Sequence, residues 1–173
     1  VCANAPGIET ESPDGLVLLA SYLKRLQKGD LAQKVLEAAV RREPGHYAAH
    51  HELATILRDR TPPQLDLAIR EFSMALAIRP HSAHAIVDLG QVYLQSGDSE
   101  TAERYMLDAQ REDARYAPAY HYLGAIYAFR RQVDRAEPVL RRGLELDPGS
   151  SQGYAILGLV LSDSFRKTEA AEA

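Results

Sequence analysis

Six histidines and one cysteine are the residues of this 173-residue chain best suited to metal or nucleophilic chemistry. His46 and His50 stand four apart and His81 and His84 three apart, spacings that put two imidazoles on one side of a helix, as a zinc pair would need. No acidic or cysteine ligand completes either set, and His46 and His81 fall in stretches that read as turns. Cys2 stands alone, which excludes an internal disulfide and any cysteine-based zinc site. A phosphate-cradling glycine loop, an HExxH helix, a nucleophile elbow and a cysteine nucleophile in its motif are all missing. The expectation is therefore no catalytic residue, no metal and no cofactor, with the histidines in structural roles.

Charge points away from nucleic acid. The formal net charge is −4 with a pI near 5.9, and phosphate binding needs a concentrated positive field that no segment supplies. The basic pairs Arg41-Arg42 and Arg141-Arg142 sit where helices are expected to end, and cations there complement the helix dipole. No apolar run reaches the roughly 20 residues that span a bilayer, and no charged-then-apolar signal segment opens the chain. Val1 implies a processed or trimmed start. Cys2 as a remnant of a lipid-anchor or export junction is an alternative that the preceding valine fits poorly. The compartment stays open between cytoplasm and export.

The elements that must carry any function are helices. With 46% hydrophobic residues, mostly Ala, Leu and Tyr, few β-branched residues and widely spaced prolines, the composition favours an all-α protein. Self-alignment exposes a period. Pro44 and Pro80 are 36 apart, Pro80 and Pro148 are 68 apart, and Ala114 takes the intervening place at half that distance. With units starting at Pro13, Tyr47, Ala83, Ala117 and Ser151, the seventh place holds Leu19, Leu53, Leu89, Leu123 and Leu157. The eighth is always small: Ala20, Ala54, Gly90, Gly124 and Gly158. The eleventh is large: Leu23, Leu57, Tyr93, Tyr127 and Leu161.

In the second half of each unit come Ala32, Ala68, Ala102 and Ala136. Leu36, Phe72, Met106 and Leu140 follow four places later, and Ala39, Ala75, Ala109 and Gly143 three after those. Steps of three and four trace one helical face, and small beside large lets two helices approach closely. The second unit is two residues longer, and Thr61-Pro62-Pro63 places the extra length in the loop between its helices. Pro118 and Pro138 are expected in opening turns.

These places, with Tyr120 and Tyr154 at the fourth, resemble the tetratricopeptide repeat: W-x2-L-G-x2-Y, then A-x3-F, then P, without the tryptophan. The resemblance covers about residues 13–173 and implies a right-handed α-solenoid of stacked antiparallel hairpins. Residues 1–12 would be a flexible lead-in. The single array would run as units 13–46, 47–82, 83–116 and 117–150, with an incomplete fifth at 151–173. That fifth unit is expected to turn into a second helix near Lys167-Thr168-Glu169-Ala170, which parallels Ser99-Glu100-Thr101-Ala102.

The resemblance also implies that first helices line a concave groove that holds a protein or peptide. Carrying over the inward places gives Lys24, Arg25, His51, Thr55, Arg58, His84, Val87, Gln91, Leu94, His121, Tyr122, Ala125 and Phe129. A polar or acidic group would lie near Lys24, Arg25 and Arg58, and an apolar one against Leu94, Tyr122 and Phe129. The lysine and asparagine clamp by which one subclass of the family grips chaperone tails is absent, since the matching places hold Val17 with Ser21, His51 with Thr55, Val87 with Gln91 and His121 with Ala125. Residues 154–161 read as a helix apolar nearly all round, so self-association through Ile156, Leu159 and Val160 is an alternative function. A regulatory or targeting arm of a longer enzyme is another.

Overall fold

The computed structural model describes residues 11–172, with side chains described from 11 to 162. Cys2 and the first ten residues lie outside it. Among the described residues every regular element is a helix: α1 (Pro13–Arg25), α2 (Gly29–Arg42), α3 (Tyr47–Asp59), α4 (Leu65–Ile78), α5 (Ala83–Gln95), α6 (Ser99–Glu112), α7 (Ala117–Phe129), α8 (Val133–Leu146) and α9 (Ser151–Glu172). The fold is an all-α helical repeat of the solenoid class. Backbone packing divides the chain into two compact units, one ending at His81 and the other beginning at Ser82. The first holds hairpins α1–α2 and α3–α4. The second holds α5–α6 and α7–α8, with α9 packed on both α7 and α8.

Odd-numbered helices begin where the leucine register predicts, and local chemistry explains their starts. The Ser12 hydroxyl accepts from the Gly15 amide at 3.1 Å and the Ser82 hydroxyl from Ala85 at 3.3 Å, each satisfying an amide that the first turn leaves unpaired. His46 does the same for α3 through Nδ1, which accepts from Ala49 at 3.2 Å, while its Nε2 lies 3.0 Å from the Asp14 carboxylate on α1. Three of the hairpin turns contain a left-handed residue at the fifteenth place: Gln27 (φ 57°), Gly97 (φ 90°) and Arg131 (φ 59°).

Inside each hairpin the small-on-large pattern becomes contact. Ala32, Ala68, Ala102 and Ala136 are fully buried, as are Leu36, Phe72, Met106 and Leu140. In the third and fourth hairpins the bulky side chain reaches across to the small eighth residue of the first helix. A methyl group on Gly90 would sit 2.6 Å from the Met106 terminal carbon and 2.9 Å from the Tyr105 Cβ, and one on Gly124 would overlap the Leu140 side chain. In the unit ending at His81, a polar link adds to this. His50 is buried with Nδ1 2.7 Å from a Glu71 carboxylate oxygen on α4 and Nε2 2.9 Å from the Pro44 carbonyl. Both ring nitrogens are thus occupied in joining α3, α4 and the turn before them, a structural role rather than a ligand's.

Two expectations are corrected. No turn follows α9's first half: the helix continues unbroken through 172, and Lys167–Ala170 belong to the same helix. Phe165 occupies the fifteenth place there, and an aromatic residue is poorly suited to the left-handed backbone that turns the other hairpins. Pro138 lies in the second turn of α8 rather than the first, and α8 runs through it.

Gly124→Ala should lower stability by about 1–3 kcal/mol, because the added methyl has no room against Leu140. Gly158→Ala should be neutral or raise stability by up to about 1 kcal/mol through helix propensity, since nothing lies near its Cβ direction. Urea unfolding of the two variants checks both, and equal effects would contradict the packing described.

Candidate partner-binding site

The expected wall residues divide between the two units. In the first, two of the three expected cations are already partnered. Lys24 Nζ lies 2.9 Å from Glu52, and Arg58 lies 2.8 Å from Asp59 with its guanidinium 5.8 Å from the centre of the Phe72 ring. Arg25 is exposed at the end of α1. The Thr55 hydroxyl donates to the His51 carbonyl at 3.0 Å, and the His51 ring stacks on Tyr47 at 5.6 Å. This wall is polar and internally paired.

The second unit is different. His84 is exposed, with Nδ1 2.9 Å from the Tyr116 hydroxyl and Nε2 3.4 Å from Asp88. Gln91 and Leu94 are half-buried. Val87 and His121, both expected on the groove, are only 1% and 4% exposed and have no surface to offer a partner. They share the fifth place of their helices, and His121 shows where that place points. Its ring packs against Gly143 on α8 and Gly153 on α9, and its Nδ1 lies 3.3 Å from the Ser150 hydroxyl. Glycine at both neighbouring positions makes the room. Burial pushes the His121 pKa below its ordinary value, against a smaller opposing pull from Asp147.

Tyr122 and Ala125 are half-buried, and Phe129 is 82% exposed. Ala125 and Phe129 border a cleft of about 560 Å³ between the end of α7 and α9, with Ala128, Val133, Ile156, Leu159 and Val160 as further lining and Arg131 and Ser162 at its polar edge. Small residues form its floor, and two large apolar side chains stand out from it: Phe129 and Leu159, the latter 70% exposed. The register placed Ala125 and Phe129 on this face but missed Ala128 and Val133. Val160, expected in self-association, is instead buried on the side of α9 that packs inward.

A polar cluster joins α6 and α8 to the end of α7. The Tyr127 hydroxyl donates to Glu103 at 2.9 Å, Arg130 donates to the same carboxylate, and Arg135 donates to it at 3.1 Å while stacking 4.0 Å over the Tyr127 ring. Burial alone would raise the Glu103 pKa, but the Tyr127 hydrogen bond and the guanidinium of Arg130 outweigh it, and the carboxyl lies below its ordinary value. Burial and the hydrogen bond to Glu103 push Tyr127 up. Arg130 directly follows Phe129, so this network on α6, α7 and α8 fixes the backbone that carries the exposed ring.

Stacked hairpins, a buried small-on-large core and an open apolar cleft define a helical-repeat scaffold. Two models described as tetratricopeptide repeat match the chain, over residues 13–56 and 64–127, and the chain belongs to the tetratricopeptide repeat family. Human cell division cycle protein 16 homolog is 29% identical over 105 residues, 56% of this chain and 17% of that protein, so the chain spans about a sixth of that relative's length. Among solved structures, PilF of Pseudomonas aeruginosa matches with a TM-score of 0.78 at 20% identity, over 92% of this chain and 72% of that one. A chain of the Cut9–Hcn1 hetero-tetramer of the APC/C matches with a TM-score of 0.75 at 16% identity, over 87% and 30% respectively. The protein is a repeat scaffold of the protein-interaction kind, and no catalytic family is indicated. Among the described residues no helix is long and apolar enough to cross a membrane.

His121 and Glu103 make stability depend on acid. Just below their ordinary values of 6.5 and 4.5, His121 and Glu103 hold fewer protons folded than unfolded. Stability is complete above those values and is lost as pH falls. The melting temperature should begin to drop below about pH 6.5 and drop further below about 4.5. His121→Gln should flatten the first limb and Glu103→Gln the second, measured by thermal circular dichroism across pH.

Proposed function

We propose that the protein holds a segment of a protein partner by anchoring an apolar side chain in the α7–α9 cleft, and that its role is binding rather than catalysis. The observation that carries this is the exposure of Phe129 beside a floor of Ala125 and Ala128. A large aromatic ring held in water by a hydrogen-bonded helix end costs solubility unless something covers it, and aromatic residues in small-floored clefts dominate binding energies. Tyr122, two helical turns from Phe129 and half-buried, extends the same wall. The Cut9–Hcn1 assembly, in which a chain of this fold is built into a hetero-tetramer, supports a protein as the partner class.

On the first unit Lys24, Arg25, His51, Thr55 and Arg58 form a wall of their own; on the second, His84, Gln91 and Leu94 would contribute orientation and specificity to the partner held in the cleft. The ion pairs of Lys24 and Arg58 limit the electrostatic contribution of the first group. Arg131, at the cleft's edge, favours an anchor flanked by an acidic residue.

Selection from a displayed peptide library should enrich sequences with one aromatic or leucine anchor and a nearby acid. Phe129→Ala should weaken the selected peptides by about thirtyfold, the loss of a central aromatic contact. Tyr122→Ala with Phe129→Ala should abolish capture while helicity stays unchanged. Binding that survives the double substitution would refute the cleft as the site.

A further inference from the structure

The first turn of α9 rests on a histidine that is poorly placed to take up a proton. His121, on α7, is only 4% exposed. Its Nε2 makes no hydrogen bond, and methyl groups added to Gly143 and Gly153 would lie 2.8 and 2.9 Å from that nitrogen, so backbone closes over it from α8 and from α9. The Gly143 carbonyl already accepts from the Asp147 amide at 2.9 Å. On the ring's other edge Nδ1 meets the Ser150 hydroxyl at 3.3 Å, and that oxygen accepts from the Gly153 amide at 3.1 Å, capping the first turn of α9. With Nδ1 unprotonated, the Ser150 hydroxyl donates to it and the cap is complete.

Imidazolium suits this place badly. It carries a donor on each nitrogen, so Nδ1–H takes the acceptor from the Ser150 hydroxyl while Nε2–H points between two glycines. The amides that open α9 add partial positive charge on the same side. Asp147, at the end of α8, is the charged group that pulls the other way, and burial outweighs it. Residues 117–129 of α7 and 151–162 of α9 carry no charge, and on α8 Arg141 and Arg142 are engaged in surface pairs with Glu137 and Glu145. Tyr120, beside the ring at Gly143, donates to the Ala114 carbonyl at 3.0 Å. Little else holds α9 in place: of residues 151–162 only Gly153, Leu157 and Val160 are buried. We propose that a proton on His121 releases α9 from α7 and α8, so that acid removes the Ile156, Leu159 and Val160 side of the Phe129 cleft. His121 does not line the cleft and acts on it by positioning α9. The consequence for a bound partner rests on the function proposed above, whereas the release of the helix does not.

In the released form the ring returns to its ordinary value of 6.5. One proton then favours release by at most about thirtyfold at about pH 5 relative to about pH 7.5. Hydrogen exchange of the whole chain, expressed as protection so that the chemistry of exchange itself cancels, should show residues 151–162 losing about tenfold to thirtyfold over that range while residues 83–112 keep theirs. His121 is the only histidine among residues 117–162, and Glu103 titrates below the range. His121→Gln should therefore abolish the response. Should that variant fail to fold, NMR titration of the unaltered chain decides: the His121 ring and the α9 amides should shift together, with one midpoint. Protection of α9 that ignores pH overturns the proposal, as does a loss shared equally by α5 and α6, a response retained in His121→Gln, or a ring that titrates while the α9 amides stay still. Peptides selected for the cleft should weaken in step with the release. Peptides that bind equally at both ends of the range while α9 is released refute the cleft as their site and leave the release standing.

Discussion

A bulky side chain from the second helix of a hairpin seated on a small residue of the first is the contact on which the rest of this structure depends. Phe72, Met106 and Leu140 have no exposure, and the glycines or alanines opposite them set how closely two helices lie. Close packing leaves little tolerance, since an added methyl at Gly90 or Gly124 would collide. The same contact explains why hairpins repeat: one hairpin alone leaves much of its apolar surface in water, and stacking buries it.

Polar groups at the helix ends and between hairpins follow a related constraint, because a buried donor or acceptor must find a partner. His50, Glu71 and Pro44 answer it in the first unit, and Glu103, Tyr127, Arg130 and Arg135 in the second. Histidine does not mark a reactive site at His46, His50 or His121. It caps a helix, bridges two helices, or fills the space that two glycines leave. The second-unit network also gives Phe129 a rigid base, so an exposed ring is presented rather than collapsed onto the core.

The first-helix walls of the two units differ in their chemistry. On the first unit's wall Lys24 pairs with Glu52 and Arg58 with Asp59, and the His51 ring packs on Tyr47. The second places small residues where a cleft can form and leaves Phe129 and Leu159 projecting beside it. On surfaces of this kind affinity comes from a few desolvated side chains, and exposed ion pairs add little.

The phase of the helices and the pairing of the first eight into hairpins were legible in the residues alone, because the seventh, eighth and eleventh places repeat with one helical periodicity and small residues recur opposite large ones. The loop at Thr61-Pro62-Pro63 was legible for a similar reason: proline constrains its own backbone and its neighbour's. The accessibility of individual wall residues was not. Val87 and His121 share a register place with accessible residues of other hairpins, and only the neighbouring helices, with Gly143 and Gly153 making room, bury His121. The continuation of α9 also needed the structure, since Lys167–Ala170 matches a helix start as well as a helix interior. Periodicity is a property of one helix and can be read along the chain. Exposure and pairing depend on which second helix lies alongside, and that is decided in three dimensions.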